Sequence, residues 1–426
     1  MTGRSATEDV VTPRADALPT RPDFHHRMSA AIVRRWLSSS RIGALRVELP
    51  DRSTWELGDT TSDRAVTLRV RRWAFFTRVI AQSDIGLGES YMAGAWDCDD
   101  LVAFFRLLLQ PTSLARRRRY TTNRIAAGWR RRGHPRSATR DVRAHYDLGN
   151  DFFRLFLDDT MTYSAGVFAT QDATLEEAQH HKLDGICRRI GLGPGLDVLD
   201  VGGGWGSFAI HAASTYGCRV RSITLSAAQH ALARDRVRAA GLESVVDVQL
   251  CDYRDVLGRF DRIVAIEMFE AVGSEHYGTF FRTCERLLRP GGSLFLQTST
   301  YPDAGFDAYR RDDDWIRKHI FPGGLLASMN AIRGTLGAET NLHIASTTRI
   351  GRDYATTLHC WRERYLRRRA DVAALGFDEP FIRKWELYLA MCEAAFATGR
   401  LDTVQLVIDS KDSPALGTTP YEGHRA

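Results

Sequence analysis

The segment VLDVGGGWGSFAI, Val198 to Ile210, reads as an apolar strand, then Gly202, Gly204 and Gly206, then a helix. Glycines at such a turn let backbone pass close to a ligand, and the helix aims its first amides and its positive dipole end at that ligand. This suits an adenosine-containing group. Two acids in IEMFEAVG, Glu267 and Glu270, end a later strand beside the same rim, where carboxylates can take up or hand on a proton. About one helix upstream, HYDLGNDFFRLFLDDTMTYSAGVF, residues 145–168, is placed to act as a lid over the bound group.

A dinucleotide site is expected to carry Gly-x-Gly-x-x-Gly and an acid at the end of the second strand to hold the ribose. Here the spacing is Gly-x-Gly-x-Gly, and the second strand ends in ITLSAAQ, Ile223 to Gln229. Thr224, Ser226 and Gln229 can supply the ribose hydrogen bonds instead. CDYRD, Cys251 to Asp255, places Asp252 to receive an adenine amino group, and Asp200 and Tyr253 join the same cofactor-binding set. The pattern departs from hydride transfer and favours S-adenosylmethionine.

These residues need a sheet to gather them. Apolar strands are expected at Asp197–Val201, Arg219–Thr224, Val245–Leu250, Asp261–Ile266 and Ser293–Gln297, with helices between. The fold class is therefore α/β, a doubly wound, mostly parallel sheet whose ligand lies beyond the carboxyl ends of the strands. Helices near 352–369 and 379–398 and a strand at Thr403–Ile408 follow. Ahead of it, a helix over Met28–Leu37, short strands at Leu45–Leu49, Trp55–Leu57 and Val66–Val70, and the apolar helix LVAFFRLLLQ read as a small α+β domain. Expected boundaries are a disordered leader over 1–25, this domain over 26–112, a linker over 113–140 and the sheet domain over 141–426.

A chain of 426 residues, 44% hydrophobic, can bury a large core, which excludes overall disorder. The net charge of +6 is concentrated locally: RRRRYTTNRIAAGWRRRGHPRSATR, residues 116–140, has no acid. Such a run can be a charged linker, a nucleic-acid arm or a surface for lipid headgroups, and the last reading is adopted here. The seven cysteines show no CxxC spacing, so neither a zinc site nor a disulfide framework is expected. His180 and His181 read as a solvated helix face. No apolar run reaches the length of a membrane span. The acidic, proline-containing leader is not a signal peptide, and a cytoplasmic protein is expected.

The motifs HYDLGNDFF, MTYS, VLDVGGGWG, ITLSAAQ, FDRIVAIEMFEAVG, LLRPGGSLFLQT, IFPGG and DYATTLHCWRERY together resemble the cyclopropane-fatty-acyl-phospholipid synthase family. GLGESYMAGAWDCDDL, Gly86 to Leu101, extends the likeness into the N-terminal domain of the full-length members. The resemblance implies a Rossmann-like class I methyltransferase that moves a methyl group from S-adenosylmethionine to a double bond of an unsaturated phospholipid acyl chain. Loss of a proton from the added methyl would close a cyclopropane; other losses would leave a methylene or methyl-branched chain. Tyr163 and Ser164 of MTYS match cofactor contacts. Glu270 and Tyr354 match an acid and a tyrosine that help hold a bicarbonate ion acting as base.

Two positions depart from the family pattern. Ala165 stands where many members carry cysteine, and Gln297 where they carry histidine. Backbone amides at Ala165 and Ser299, with the Gln297 side-chain amide, can still donate to an anion, but Gln297 cannot be protonated as histidine can. Glu270 or Glu267, desolvated in an apolar pocket, can take the proton directly. A relaxed or altered product relative to cyclopropanation is the expectation.

Tyr163 and Tyr354 also suit plain core packing, and His145 and Tyr146 suit anchoring of the lid helix. Phe152–Leu157 and Ile320–Leu326 would line an acyl route or fill the core. The expected placement is peripheral, on the inner face of a membrane, through the arginine-rich linker, with no nucleic-acid partner and with a homo-oligomer left open. Methylation of a soluble small molecule and a non-enzymatic nucleic-acid-binding role are the rivals.

Overall fold

A computed structural model of the chain describes residues 22–39, 43–58, 65–109 and 148–410. The expected leader up to residue 21, the arginine-rich segment 113–140, and His145 and Tyr146 lie outside the described residues.

The N-terminal unit opens with α1 (Phe24–Ser39), which buries Ala30, Val33 and Leu37 at helical spacing. Strands β1 (Leu45–Glu48), β2 (Thr54–Leu57), β3 (Val66–Val70) and β4 (Trp96–Cys98) make a four-stranded sheet in the order β2-β1-β3-β4. Alternation turns Leu45 and Val47 of β1 and Trp55 and Leu57 of β2 into the core. Helix α2 (Ala74–Met92) breaks at Ser83, where φ is 56°, and α3 (Leu101–Leu109) is the expected apolar helix.

The second unit holds α4 (Asn150–Arg154), α5 (Leu175–Arg189), β5 (Asp197–Val201), α6 (Ser207–Tyr216), β6 (Arg219–Thr224), α7 (Ala227–Ala239), β7 (Val246–Leu250) and β8 (Phe260–Ile266). It continues through α8 (Tyr277–Leu287), β9 (Leu288–Thr300), α9 (Phe306–Tyr309), α10 (Trp315–His319), α11 (Met329–Glu339) and β10 (Leu342–Arg349). It ends with α12 (Gly351–Arg367), α13 (Arg369–Ala374), α14 (Glu379–Ala397) and β11 (Asp402–Ser410).

The seven strands lie in the order β10-β11-β9-β8-β5-β6-β7. β5 to β9 pair in parallel, while β11 runs antiparallel to β9 and β10 antiparallel to β11. The chain winds β5, β6, β7 in one direction and then crosses to place β8 on the other side of β5. That switch point brings Gly202, after β5, beside Met268, after β8: a Cβ on Gly202 would lie 2.7 Å from Met268 Cβ. The sequence reading has no strand over Leu342–Arg349, because LHIASTTR carries only two aliphatic residues suited to the core, and its burial alternates as befits an edge strand.

The two units share one hydrophobic cluster, running from Val47 and Phe76 to Trp361, Trp385 and Leu389. Arg383 of α14 ties them together: its guanidinium donates to the carbonyls of Tyr91 (2.6 Å) and Trp96 (2.8 Å), pairs with Asp97 and lies 3.9 Å over the Tyr91 ring. The backbone amide of Trp315 donates to Asp84, and Lys318 and His319 meet Glu89. Gly88 leaves room for the Trp315 indole, since a Cβ there would stand 2.3 Å from the indole nitrogen.

Candidate active site

Backbone amides of Gly202 and Gly203 both donate to the Ile223 carbonyl at 3.0 Å, tying the glycine turn to the end of β6. Gly202, Gly204 and Gly206 have φ of 81°, 55° and 85°, a left-handed run that glycine adopts without strain. Nothing stands within 4 Å of a Cβ placed on Gly204, so the turn leaves open space in front of α6. Asp200 is buried and accepts from Ser222 Oγ at 2.8 Å; burial pushes its carboxyl up to about 7. Thr224 Oγ1 donates to Gln229 Oε1 at 2.7 Å, which turns the Gln229 amine the other way, and Ser226 caps α7 by accepting the Gln229 amide.

Asp252 follows β7 on the same rim. Both of its oxygens receive Arg254, at 2.9 and 2.7 Å; burial pushes the carboxyl up, but these contacts outweigh it and hold Asp252 below the usual range. Tyr253 packs edge-on against Phe280 and is half-buried. The open glycine turn at Gly202, Gly204 and Gly206, with Thr224, Ser226, Gln229, Asp252 and Tyr253 after the neighbouring strands, could hold S-adenosylmethionine, whereas Asp200 is buried against Ser222.

The MTYS segment crosses the site between α5 and α12. Gly166 donates its amide to Thr357 Oγ1 at 3.0 Å and Phe168 donates to Asp353 at 2.9 Å, so α12 holds the strap in register. From α5, Gln179 donates to the Ser164 carbonyl and Lys182 donates to Ser164 Oγ, at 2.8 and 2.7 Å. Lys182 is 1% exposed, and burial lowers its ammonium to about 8 against the pull of Glu267 and Asp158. The sequence reading missed Lys182 because it stands in LEEAQHHKLDGICRR, whose many charges suggest a solvated face. His180 is indeed exposed, but His181 is half-buried, and burial lowers its pKa.

Tyr163 faces an aromatic wall. Its ring lies 5.1 Å from Trp361 and 5.4 Å from Phe153, and its hydroxyl meets Tyr388 at 3.1 Å. Trp361 in turn lies 6.1 Å from Tyr354. Phe152, Phe153 and Phe156 are fully buried, so the core reading holds for them; Phe152 packs against Phe377, Phe381 and Trp385.

Beyond Ala165 the strap meets two carboxylates. Glu267 Oε1 accepts the Ala165 amide at 2.8 Å and Gln297 Nε2 at 2.8 Å, and the buried Tyr354 stands close enough to act on its charge. Burial raises Glu267; those donors and the Lys182 charge pull the other way without cancelling it. Glu270 Oε1 accepts the Ser299 amide at 2.6 Å and Thr298 Oγ1 at 3.0 Å, while its buried Oε2 has no partner among the described residues. Burial, then the neighbouring Glu267 charge, raises Glu270 to about 7. Both acids are partly buried side chains. Behind them, Arg189 donates to Gln405, Gln405 to Gln297 and Gln297 to Glu267, each at 2.8–2.9 Å.

These residues do not fit a bicarbonate ion. The amides of Ala165 and Ser299 and the Gln297 amide, the donors expected to hold it, are already used by Glu267 and Glu270. Another anion there would face two carboxylates with Lys182 as the cation beside them. No group of three or more His, Cys, Asp or Glu residues among the described residues could hold a metal ion.

The sequence profile of the mycolic acid cyclopropane synthetase family matches residues 134–406. Tuberculostearic acid methyltransferase UfaA1 of Mycobacterium tuberculosis is 41% identical over 404 residues, covering 91% of this chain and 92% of the relative. Cyclopropane-fatty-acyl-phospholipid synthase of Escherichia coli is 35% identical over 373 residues, covering 85% of this chain and 94% of the relative. The solved structure of mycolic acid cyclopropane synthase CmaA1 complexed with SAH and CTAB superposes with a TM-score of 0.60 at 32% identity, over 65% of this chain and 99% of that one. The chain belongs to the cyclopropane synthase family and is an S-adenosylmethionine-dependent methyltransferase acting on lipids.

Proposed function

We propose that this enzyme methylates the double bond of an unsaturated acyl chain carried by a phospholipid, from the inner face of a membrane. S-adenosylmethionine, when held at the glycine turn, supplies an electrophilic sulfonium methyl. An alkene is a weak nucleophile, so the protein has to exclude water and stabilise the positive charge that develops on the acyl chain. The faces of Tyr163, Trp361 and Tyr354 suit that task.

The observation that carries this reading is the MTYS strap, which carries Tyr163 into that aromatic wall and, two residues on, donates the Ala165 amide to the buried Glu267 carboxylate. A base is needed once the carbon has been methylated. Loss of a proton from the added methyl closes a cyclopropane; other losses leave a methylene or methyl-branched chain. The 41% identical relative is named a methyltransferase and not a cyclopropane synthase, which favours an open-chain product.

Contact with a bilayer is supported by α1, where Phe24, Met28 and Ile32 are 71%, 51% and 52% exposed at four-residue spacing, with the exposed Arg27 and Arg35 beside them. Each arginine near an anionic surface contributes about 1 kcal/mol, and residues 113–140 supply more of them. No helix of the described residues is long and apolar enough to cross a membrane. Incubation with methyl-labelled S-adenosylmethionine and phospholipids of defined chains tests the reading. Label in unsaturated chains and not in saturated ones is expected; label in a headgroup or a soluble acceptor would count against it.

A further inference from the structure

We propose that the Glu267 carboxylate takes the place of an exogenous anion in this site and is the base that receives the proton. The inference rests on the lipid-methylation reading for its substrate, and on the geometry around Glu267 for everything else. Two of the groups that the family resemblance assigns to an anion's surroundings, the amide at position 165 and the side chain at position 297, converge instead on Glu267. Ala165 is fully buried and brings no side chain to compete for that space. Gln297, also fully buried, is fixed by Gln405 so that its amine points at Glu267.

The backbone is bent to deliver this carboxylate. Glu267 has φ of 51°, a left-handed conformation that residues with a Cβ rarely adopt. Its amide donates to the Gln297 carbonyl at 2.8 Å, so β9 holds the bend from both backbone and side chain. Strain retained at a reactive carboxylate is the signature of a placed group, since a glycine here would relieve it. Lys182, buried and donating to Ser164 of the strap, is a cation near enough to offset the Glu267 charge.

In the step assigned to Glu267, the methyl carbon has already bonded to one alkene carbon, leaving the acyl chain electron-deficient. A C–H bond of that chain breaks, its electron pair forms the new carbon–carbon bond, and the proton passes to a Glu267 oxygen, giving a neutral carboxylic acid. The proton then leaves to solvent water before the next turnover, and Glu270, with its unpartnered Oε2, is the neighbouring carboxyl that can relay it.

The test uses the full chain in buffer depleted of carbon dioxide, with and without added 13C-bicarbonate. Wild-type turnover is expected to change by less than about twofold on adding bicarbonate, and line broadening of the 13C signal to show no binding. Glu267→Gln should lower turnover at least ~100-fold while binding S-adenosylmethionine normally. Glu267→Gly, which suits the left-handed backbone, should be inactive alone, bind 13C-bicarbonate and regain at least ~10-fold in turnover when it is added. Bicarbonate binding to the wild type, bicarbonate-dependent wild-type turnover, or an active Glu267→Gln would each overturn the assignment. If no lipid is methylated, the lipid reading fails, and the 13C binding comparison of wild type with Glu267→Gly still decides the anion question.

Discussion

Gln297 Nε2 donates at 2.8 Å to the same Glu267 oxygen that accepts the Ala165 amide, so a side chain on β9 and the strap before α5 are joined through one carboxylate. Gln297→Ala removes a buried donor to a charged acceptor, worth about 1–3 kcal/mol. Turnover should fall ~10–100-fold with S-adenosylmethionine affinity unchanged, and the acid limb of the rate profile should move to higher pH. Steady-state kinetics beside equilibrium cofactor binding check both parts.

The carboxylate pair predicts a pH dependence. Burial raises both acids, Glu270 to about 7, and the base must be ionised to accept a proton. Turnover should therefore fall as pH drops, along an acid limb that lies above the ordinary glutamate range. Lys182→Met removes the positive charge that pulls Glu267 down, so its acid limb should lie at higher pH than that of the wild type. A limb at the ordinary glutamate value in both proteins would contradict the pairing.

Asp200 predicts a stability effect of definite sign. Its folded pKa is raised from 3.8 to about 7, so its contribution is fully present below the unfolded value and is lost as pH rises through 7. Asp200→Asn cannot ionise and keeps a partner for Ser222. Without cofactor it should be more stable than the wild type by roughly 2–4 kcal/mol at pH 8, the gain shrinking toward pH 4. Denaturant unfolding at several pH values measures it.

Much of the sheet was legible because its strands are short apolar runs with punctuated ends. β5 and β6 fall at the expected residues, and β9 extends well past Ser293–Gln297 because Leu288–Gly292 lacks a strand pattern. β10 was invisible because an edge strand with solvent on one side needs few apolar residues. In the site, Ala165 and Gln297 were visible as departures, but their common partner was not: Glu267 lies 102 residues from one and 30 from the other. The burial of Lys182 against Ser164 is likewise a product of tertiary packing, which local pattern does not report.

Arg383 predicts that docking of the N-terminal unit is separable from catalytic-domain folding. Arg383→Ala leaves Asp97 without that cation and the Tyr91 and Trp96 carbonyls without their donor, a loss of about 2–4 kcal/mol. Calorimetry should show an early transition for the N-terminal unit, with the later one unchanged.

The exposed stripe of α1 predicts how the enzyme meets lipid. Met28→Glu with Ile32→Glu places charge on a face that packs against nothing in the core, so folding and cofactor affinity should be unaffected. Co-sedimentation with anionic liposomes should fall several-fold, and wild-type binding should weaken as salt rises. Binding indifferent to the substitutions and to salt would remove α1 and residues 113–140 from the lipid surface.

The most direct measurement of the central claim uses S-adenosylmethionine with a deuterated methyl group and a phospholipid bearing one unsaturated and one saturated chain. Mass spectrometry and NMR of the released chains should place the deuterated carbon at a former alkene carbon of the unsaturated chain, with the saturated chain unlabelled. S-adenosylhomocysteine formed with the label on the headgroup, or with no label in the acyl chain, would contradict it.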